Sequence, residues 1–166
     1  DQGRVRGAVM QDGTSLSCDM VLVGIGAEPN TALAAEAGIE TCNGIVVDAM
    51  LRTSDPAIHA CGDVASFFDE ASGEHIRQES WRNVEDQAEF LRDHFDGKSS
   101  PFRATSWFWS DQYDVSLQIC ARPELGRSIA RRDFNDAASL LFHLDGSRRL
   151  VGASAFGKPE TIRRDM

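Results

Sequence analysis

Long apolar segments are missing from this 166-residue sequence. No run approaches about 20 residues, the length that a membrane-spanning helix needs, and the N-terminal segment leads into alternating polarity instead of the apolar core of a signal peptide. Cysteine is scarce, and the four thiols form neither a C-x-x-C pair nor a zinc-type cluster with histidine: Cys18, Cys42, Cys61 and Cys120. We therefore predict a cytoplasmic protein with no membrane span, metal site or redox dithiol.

Positive charge is also in short supply. The chain has 17 Lys and Arg against 26 Asp and Glu, a net charge of −9, and this makes nucleic acid a poor partner because its binding requires basic side chains. The deficit is uneven: residues 1–110 carry 8 basic and 18 acidic residues, whereas residues 111–166 carry 9 and 8. This difference predicts a boundary near the aromatic segment 107–109.

The first part of the chain has the pattern of an α/β domain. Asp12-Gly13 predicts the turn of a β-hairpin. The apolar residues 20–26 predict a strand buried on both faces, in the centre of a parallel sheet. A helix is predicted for residues 31–37, with Asn30 as its N-cap and Gly38 at its end.

Two more short strands are predicted for residues 44–48 and 57–61, separated by a turn at 53–56. One long amphipathic helix follows, because apolar residues recur at helical spacing: Trp81, Val84, Ala88, Leu91 and Phe95. Together these elements predict an α/β fold with a central parallel sheet.

The C-terminal part has the pattern of an antiparallel sheet in an α+β domain. Four strands are predicted, over residues 115–121, 128–134, 139–144 and 150–156. Pro159 predicts the start of a helix that has only about two turns before the sequence stops, so we expect the chain to be cut there.

A Gly-Asp pair is the most specific chemical feature of the sequence. Gly62 and Asp63 follow the predicted strand at 57–61, at the edge of the sheet where open α/β folds bind ligands. Glycine lets the backbone approach a ligand closely, and the carboxylate accepts hydrogen bonds from sugar or ribityl hydroxyls. Taken alone, such a pair is more often an ordinary turn.

The surrounding residues resemble a known family. The segment 53–63 has the order Thr, six residues, Ala, any residue, Gly, Asp, which resembles the second flavin fingerprint of flavoproteins with two dinucleotide domains. The string Val-Gly-Ile-Gly-Ala-Glu-Pro-Asn-Thr at 23–31 is similar to the end of their nicotinamide domain. Residues 77–88 and the Trp-Phe-Trp-Ser-Asp-Gln string from 107 narrow the resemblance to the ferredoxin, putidaredoxin and rubredoxin reductases.

This resemblance extends over essentially the whole chain, with two departures. Ser106 stands where the family usually has Pro, and Val84 where it often has Ala. The resemblance implies three parts: the end of an NAD(P)-binding domain at 1–28, the C-terminal part of an FAD-binding domain at 29–106, and a truncated reductase C-terminal interface domain at 107–166.

The resemblance also implies a set of FAD contacts. Asp63 would hold the ribityl chain beside Gly62, Gly26 would lie in the glycine-rich turn, and the helix opening at Ser80 would direct the Trp81 N–H at the flavin. The alternative for Trp81 is an ordinary helix start with a buried side chain.

Three further side chains have alternative roles. We expect Trp107 and Trp109 to alternate across an extended segment, so that only one faces a flavin ring. The family position favours Trp109, either near the flavin or at the surface that docks the partner. A core role for either tryptophan stays open. Glu79 either orients nicotinamide or forms a salt bridge with Arg77, and the salt bridge is the safer reading.

The implied activity is electron transfer from NAD(P)H through FAD to a ferredoxin- or rubredoxin-type iron–sulfur protein that serves an oxygenase, in an NAD(P)H:ferredoxin oxidoreductase. Candidate docking charges are six arginines, with ordinary solvated side chains as the alternative: Arg122, Arg127, Arg131, Arg132, Arg148 and Arg149. A homodimer is a further expectation. The glycine-rich loops for FAD and NAD(P)H pyrophosphate are absent from the sequence, so the isolated chain is expected to be inactive. The alternative function is an interface or dimerisation module without redox activity.

Overall fold

The computed structural model describes residues 3–70, 72–98, 100–103, 105–134 and 138–158. Within these ranges the chain forms ten strands in three sheets and two α-helices. No helix in the described ranges is both long and apolar enough to cross a membrane.

The first sheet is the predicted hairpin. Strands β1 (Gly7–Val9) and β2 (Ser15–Ser17) pair antiparallel. The Asp12 carboxylate accepts a hydrogen bond of 2.8 Å from the Thr14 N–H, which is the local side-chain contact that makes Asp favourable in turns. The hairpin prediction is confirmed.

The apolar segment 20–26 differs from its prediction. It lies outside every strand of the described chain, and Leu22 and Ile25 are 94% and 90% exposed. A central strand needs hydrogen-bonded neighbours on both sides, and no described segment lies beside this one as a strand. The prediction of a strand buried on both faces is therefore wrong for this structure.

The second sheet is mixed, and its one parallel pair agrees with the predicted α/β class although one of the two paired strands was not predicted. Helix α1 (Ala32–Glu36) precedes it, with Thr31 and not Asn30 at the N-cap position. The sheet has the order β3 (Ile45–Val47), β4 (Ala65–Asp69), β5 (Glu74–Ile76). β3 and β4 are parallel, whereas β4 and β5 are antiparallel.

The strand predicted at 57–61 is wrong. This segment makes a single bridge between Arg52 and His59, because the turn around Pro56, with the Ala57 N–H bonded to the Asp55 carboxylate, leaves little extended chain. The strand of the sheet comes later, as β4.

Helix α2 (Trp81–Phe95) covers the mixed sheet. Its side chains Phe90 and Leu91 pack against a buried cluster below: Val47, Leu51, Ala60, Ala65 and Phe67. The predicted apolar face is displaced, since Trp81 and Phe95 are 71% and 68% exposed. The buried residues of the helix are Asn83 and Gln87.

The third sheet is antiparallel, as predicted, and has five strands instead of the four that were predicted. Its order is β6-β7-β10-β9-β8, with the bounds β6 (Trp107–Gln112), β7 (Val115–Ala121), β8 (Ser128–Phe134), β9 (Ala138–Leu144) and β10 (Leu150–Gly157). β6 is an additional edge strand. The helix predicted from Pro159 lies outside the described residues. Because β6 also contacts α2, the two larger sheets meet at the aromatic segment.

Candidate functional site

The Gly62-Asp63 turn is a single 3-10 turn, Gly62–Val64, immediately before β4. It therefore lies at the amino end of β4, and not at the carboxyl end of a preceding strand as the sequence predicted. Gly62 is buried with φ +79°, a conformation that other residues adopt at a cost. The Asp63 side chain is exposed, and its carboxylate has no hydrogen-bond partner among the described residues.

Side chains from later in the chain hold both ends of this dipeptide, one from before helix α2 and one from within it. The Gly62 N–H donates to Gln87 Oε1 at 2.6 Å. On the other side, Arg77 Nη1 donates to the Asp63 carbonyl oxygen at 2.8 Å. The backbone around Asp63 is thereby fixed while its carboxylate stays free to bind a ligand.

The Arg77 side chain packs closely against the backbone of Gly44. A Cβ atom at Gly44, where φ is +127°, would lie 2.9 Å from Arg77 Cδ and 2.6 Å from the Val64 carbonyl oxygen. Only glycine avoids both contacts. Arg77 also forms a salt bridge of 2.6 Å with Glu79, so the structure contains the salt bridge that was the safer alternative for Glu79.

Helix α2 begins beside the turn. Ser80 is its N-cap, and the Ser80 hydroxyl oxygen accepts a hydrogen bond of 3.3 Å from the Asn83 N–H. The Trp81 and Arg82 N–H groups have no acceptor in the described chain, and free N–H groups give a helix N-terminus a partial positive charge. The Trp81 indole is exposed and donates to Glu85 at 3.0 Å, which contradicts the buried alternative.

The two tryptophans of β6 lie together. Trp107 and Trp109 are two residues apart on one strand, so both side chains point to the same face, and their ring centroids are 5.0 Å apart. The expectation that only one can face a ligand was wrong, because successive residues alternate in a strand but i and i+2 do not. Trp109 is 43% exposed, which disfavours a pure core role for it.

A cavity of about 650 Å³ opens where the α2 N-terminus meets the antiparallel sheet. One wall is the segment 76–81, the second is 106–109, and the floor includes Ile119 and residues 121–124. The cavity therefore brings five predicted site residues together: Glu79, Ser80, Trp81, Trp107 and Trp109. It is large enough for one flat aromatic ring system.

Gly62 and Asp63 do not line this cavity but are joined to its wall through Arg77 and Gln87. Gly26, with φ +94°, lies in the exposed segment after β2 and contributes nothing to the cavity. Seven of the eight predicted residues thus belong to the turn or the cavity.

The two departures from the family pattern both have defined contacts. The Ser106 hydroxyl donates to the Ala121 carbonyl oxygen at 2.8 Å, which ties the start of β6 to the end of β7. The Val84 side chain lies 3.8 Å from the position of a Gly62 Cβ atom.

Sequence reasoning assigned no site role to Asn83 or Gln87, and it treated Arg122 as a docking charge instead of a link between sheets. Arg122 is paired with Asp69 and Glu124, which links the two larger sheets below the cavity. The available signal for the two amides was their spacing of four residues on α2, which places them on one helix face.

Burial lowers the pKa of His59, with His94 and Arg52 acting in the same direction and Asp48 opposing them. In the described part of the chain no three or more His, Cys, Asp or Glu side chains lie together as metal ligands. All four cysteines are free thiols.

Comparison with known proteins adds two family matches. Residues 1–88 match the pyridine nucleotide-disulphide oxidoreductase family, and residues 107–165 match the reductase C-terminal domain. The chain is 38% identical over 152 residues to putidaredoxin reductase CamA of Pseudomonas putida, covering 91% of this chain and 36% of that protein. It is also 38% identical over 151 residues to the ferredoxin–NAD(+) reductase component of the anthranilate 1,2-dioxygenase system of Burkholderia cepacia, covering 90% of this chain and 37% of that protein.

Solved structures agree. The ferredoxin reductase for the CYP199A2 system from Rhodopseudomonas palustris superposes with a TM-score of 0.85 at 38% identity, covering 94% of this chain and 39% of that one. The reductase in a covalent putidaredoxin reductase–putidaredoxin complex gives 0.82 at 34% identity, covering 96% and 38%. The chain thus spans well under half the length of the relatives that it matches.

Proposed function

Because the chain belongs to the pyridine nucleotide-disulphide oxidoreductase family, we propose that it is the C-terminal part of a flavoprotein reductase. The full polypeptide would transfer electrons from NAD(P)H through FAD to a ferredoxin- or rubredoxin-type iron–sulfur protein. The resemblance to ferredoxin and putidaredoxin reductases is confirmed by relatives at 35–38% identity. None of these comparisons favours the alternative of an interface module without redox activity.

One observation carries the proposal: the free Asp63 carboxylate and the free N–H groups of α2 are held in one unit, beside an aromatic cavity. These groups fit FAD. A carboxylate matches ribityl hydroxyls as an acceptor, and helix N–H groups match the electron-rich edge of an isoalloxazine ring. Trp107 and Trp109 add flat apolar surface.

We assign the following roles within the bound enzyme. Asp63 binds the ribityl chain, and Gly62 allows the backbone to approach it. Ser80 fixes the helix start so that the Trp81 N–H faces the ring, while Trp107 and Trp109 close the cavity. Glu79, already paired with Arg77, positions the nicotinamide side of the cavity.

When bound, FAD supplies the redox chemistry, accepting a hydride from NAD(P)H and releasing electrons singly. The protein residues bind, orient and exclude water, and no side chain in the cavity needs to act as a general acid or base. Gly26 remains a proposed member of the glycine-rich turn, outside this cavity. We also propose the division into 1–28, 29–106 and 107–166.

The proposed partner is an acidic ferredoxin-type protein. The six candidate docking arginines differ in their exposure and in their ion pairs. Arg122 is largely buried against Asp69, so it is unsuited to docking. Arg131 and Arg149 are exposed but paired with Asp133 and Asp145. The arginines without an ion pair in the described chain are the better candidates: Arg127, Arg132 and Arg148. A cytoplasmic location and a homodimer are further proposals.

The proposal is tested by Asp63→Ala in the full-length reductase. We expect the purified parent to be yellow and the variant to lose FAD on dialysis, because no other described carboxylate lies on the turn. The matched control is Asp114→Ala, an exposed carboxylate in the β6–β7 turn, which should retain FAD. A colourless parent, or unchanged flavin content in the Asp63 variant, would contradict the proposal.

A further inference from the structure

A chain of buried side-chain amides runs behind the Gly62-Asp63 turn. The Gly62 N–H donates to Gln87 Oε1 at 2.6 Å, and Gln87 Nε2 donates to Asn83 Oδ1 at 3.1 Å. Asn83 Nδ2 then donates to the Gln78 carbonyl oxygen at 3.0 Å. Gln87 is 0% exposed and Asn83 is 2% exposed.

The direction of this chain is fixed by chemistry. The Gly62 N–H can only donate, so the oxygen of the Gln87 amide must face it, and the Gln87 NH₂ group then faces Asn83. By the same reasoning Asn83 Oδ1 must face the Gln87 NH₂ group, and the Asn83 NH₂ group then faces the Gln78 carbonyl oxygen. Each buried amide has one accepting and one donating contact, and an unpaired amide at the same depth would be costly.

The amide chain connects two elements of the proposed cofactor site. One end is the backbone N–H of Gly62, directly before Asp63. The other end is Gln78, in the segment that leads to the helix start at Ser80 and lines the cavity. Gln87 is therefore the link that sets the distance between the ribityl-binding carboxylate and the α2 N-terminus.

An apolar side chain would fill this position equally well. Methionine has nearly the volume of glutamine and suits a buried helix position, but it would leave the Gly62 N–H without an acceptor. Arg77 holds the Asp63 carbonyl from the other side, so loss of Gln87 would release one end of the dipeptide and leave the other fixed. The turn would then rotate instead of moving as a whole.

We propose that Gln87 is a positioning residue for FAD, which acts through Gly62 and Asn83 to align the Asp63 carboxylate with the α2 N-terminus. This inference rests on the proposed function. Gln87 does not touch the cofactor itself, since it is fully buried behind the turn.

The test is Gln87→Met in the full-length reductase, with FAD titrated into the apoprotein and followed by quenching of flavin fluorescence. We expect the FAD dissociation constant to rise about tenfold, because a displaced Asp63 carboxylate would lose much of its charge-assisted hydrogen bonding to the cofactor. The visible flavin spectrum of the bound fraction should also shift, because the ring meets the helix N-terminus at a changed distance. The control is Glu89→Gln, an exposed position on the same helix, which should change neither quantity.

A purely structural role predicts a different result. In that case Gln87→Met would lower the melting temperature of the apoprotein but leave the FAD dissociation constant and the flavin spectrum unchanged, and the inference would be overturned. If Gln87→Met does not fold, Asn83→Ala replaces it. This variant keeps the contact between Gln87 and the Gly62 N–H but removes the Asn83 amide that joins Gln87 to Gln78. We therefore expect a smaller but measurable rise in the dissociation constant, and no rise overturns the inference.

Failure of the proposed function is recognised separately. If the unmodified full-length protein binds no FAD, the function itself is wrong and the inference falls with it. If the unmodified protein binds FAD and both amide variants bind it equally well with an unchanged spectrum, only the positioning role is wrong.

Discussion

The two larger sheets of this chain are stabilised in different ways. In the antiparallel sheet, strands of 6 to 8 residues pair in long continuous ladders. In the mixed sheet β3 and β5 have 3 residues each, and side chains satisfy much of the backbone instead. The Asp48 carboxylate, for example, accepts from the Met50 and Arg52 N–H groups.

This difference explains where the candidate site lies. A ladder fixes many residues uniformly and leaves few backbone groups free, whereas a backbone held by individual side chains can present an unpaired carboxylate or helix end to a ligand. The turn at Gly62 is of the second kind. The antiparallel sheet contributes flat aromatic surface from β6 and an arginine that ties the two regions together.

This difference predicts that the stability of the mixed sheet depends more on single side chains than the stability of the antiparallel sheet does. Leu51 is 0% exposed within the cluster of Val47, Ala60 and Phe67, so we expect Leu51→Ala to lower the free energy of unfolding by about 3–5 kcal/mol. Leu140→Ala, in the smaller cluster of the antiparallel sheet, should cost about 2–3 kcal/mol. Urea unfolding followed by circular dichroism measures both.

The control is Leu150→Ala, a leucine that is 59% exposed at the start of β10. Its effect should stay within about 0.5 kcal/mol. A larger loss of unfolding free energy for Leu140→Ala than for Leu51→Ala would contradict the stronger dependence of the mixed sheet on single side chains.

A second prediction concerns the connection between the regions. Arg122 pairs with Asp69 of the mixed sheet and with Glu124 beside the antiparallel sheet, and its side chain is 19% exposed. Arg122→Met leaves the Asp69 carboxylate without its ionic partner in a partly buried place, so we expect a loss of about 1–3 kcal/mol. Calorimetry should then show two transitions where the unmodified chain shows one.

Arg149→Met is the matched control, because Arg149 is 82% exposed and its ion pair among the described residues is with Asp145 in its own turn. It should leave a single transition at nearly the same temperature. Two transitions already present in the unmodified chain would mean that Arg122 does not couple the regions.

The contrast between long strand ladders and short strands held by side chains also explains which elements could be predicted from the sequence. The bounds of β7 and β8 were predicted to the residue, because antiparallel strands separated by short turns show a clear local pattern. The strand predicted at 57–61 was wrong and β4 was missed, since the turn at Pro56 and the Asp55 contact decide locally where extended chain can begin. Hydrophobic periodicity does not record such local contacts between a side chain and the backbone.

The candidate site was also only partly predictable. Gly62, Asp63, Ser80 and Trp81 were found from their motifs, and the structure places them in or beside one cavity. Asn83 and Gln87 were missed because a polar side chain is ordinarily read as exposed. The shared face of Trp107 and Trp109 could have been predicted, since residues two apart in a strand always face the same side.

The smallest predicted effect is a pH dependence that belongs to the mixed-sheet region. Burial lowers the pKa of His59 below its ordinary value of 6.5, helped by His94 and Arg52 and opposed by Asp48. The unfolded chain therefore takes up a proton near pH 6.5 that the folded chain resists. Stability is complete above this pH and falls as the pH drops from 6.5 through the lowered folded-state pKa.

His59→Phe should remove this fall, because phenylalanine cannot be protonated and can keep the edge contact that His59 makes with Phe95, at a centroid distance of 5.1 Å. Unfolding free energies measured by urea titration at about pH 7.5 and about pH 5 give the difference to be compared. His75→Phe, at an exposed position on β5, should keep the pH dependence of the unmodified chain. If His59→Phe also keeps it, the acid sensitivity arises outside the His59 site, and the contrast between the two sheets does not extend to their response to pH.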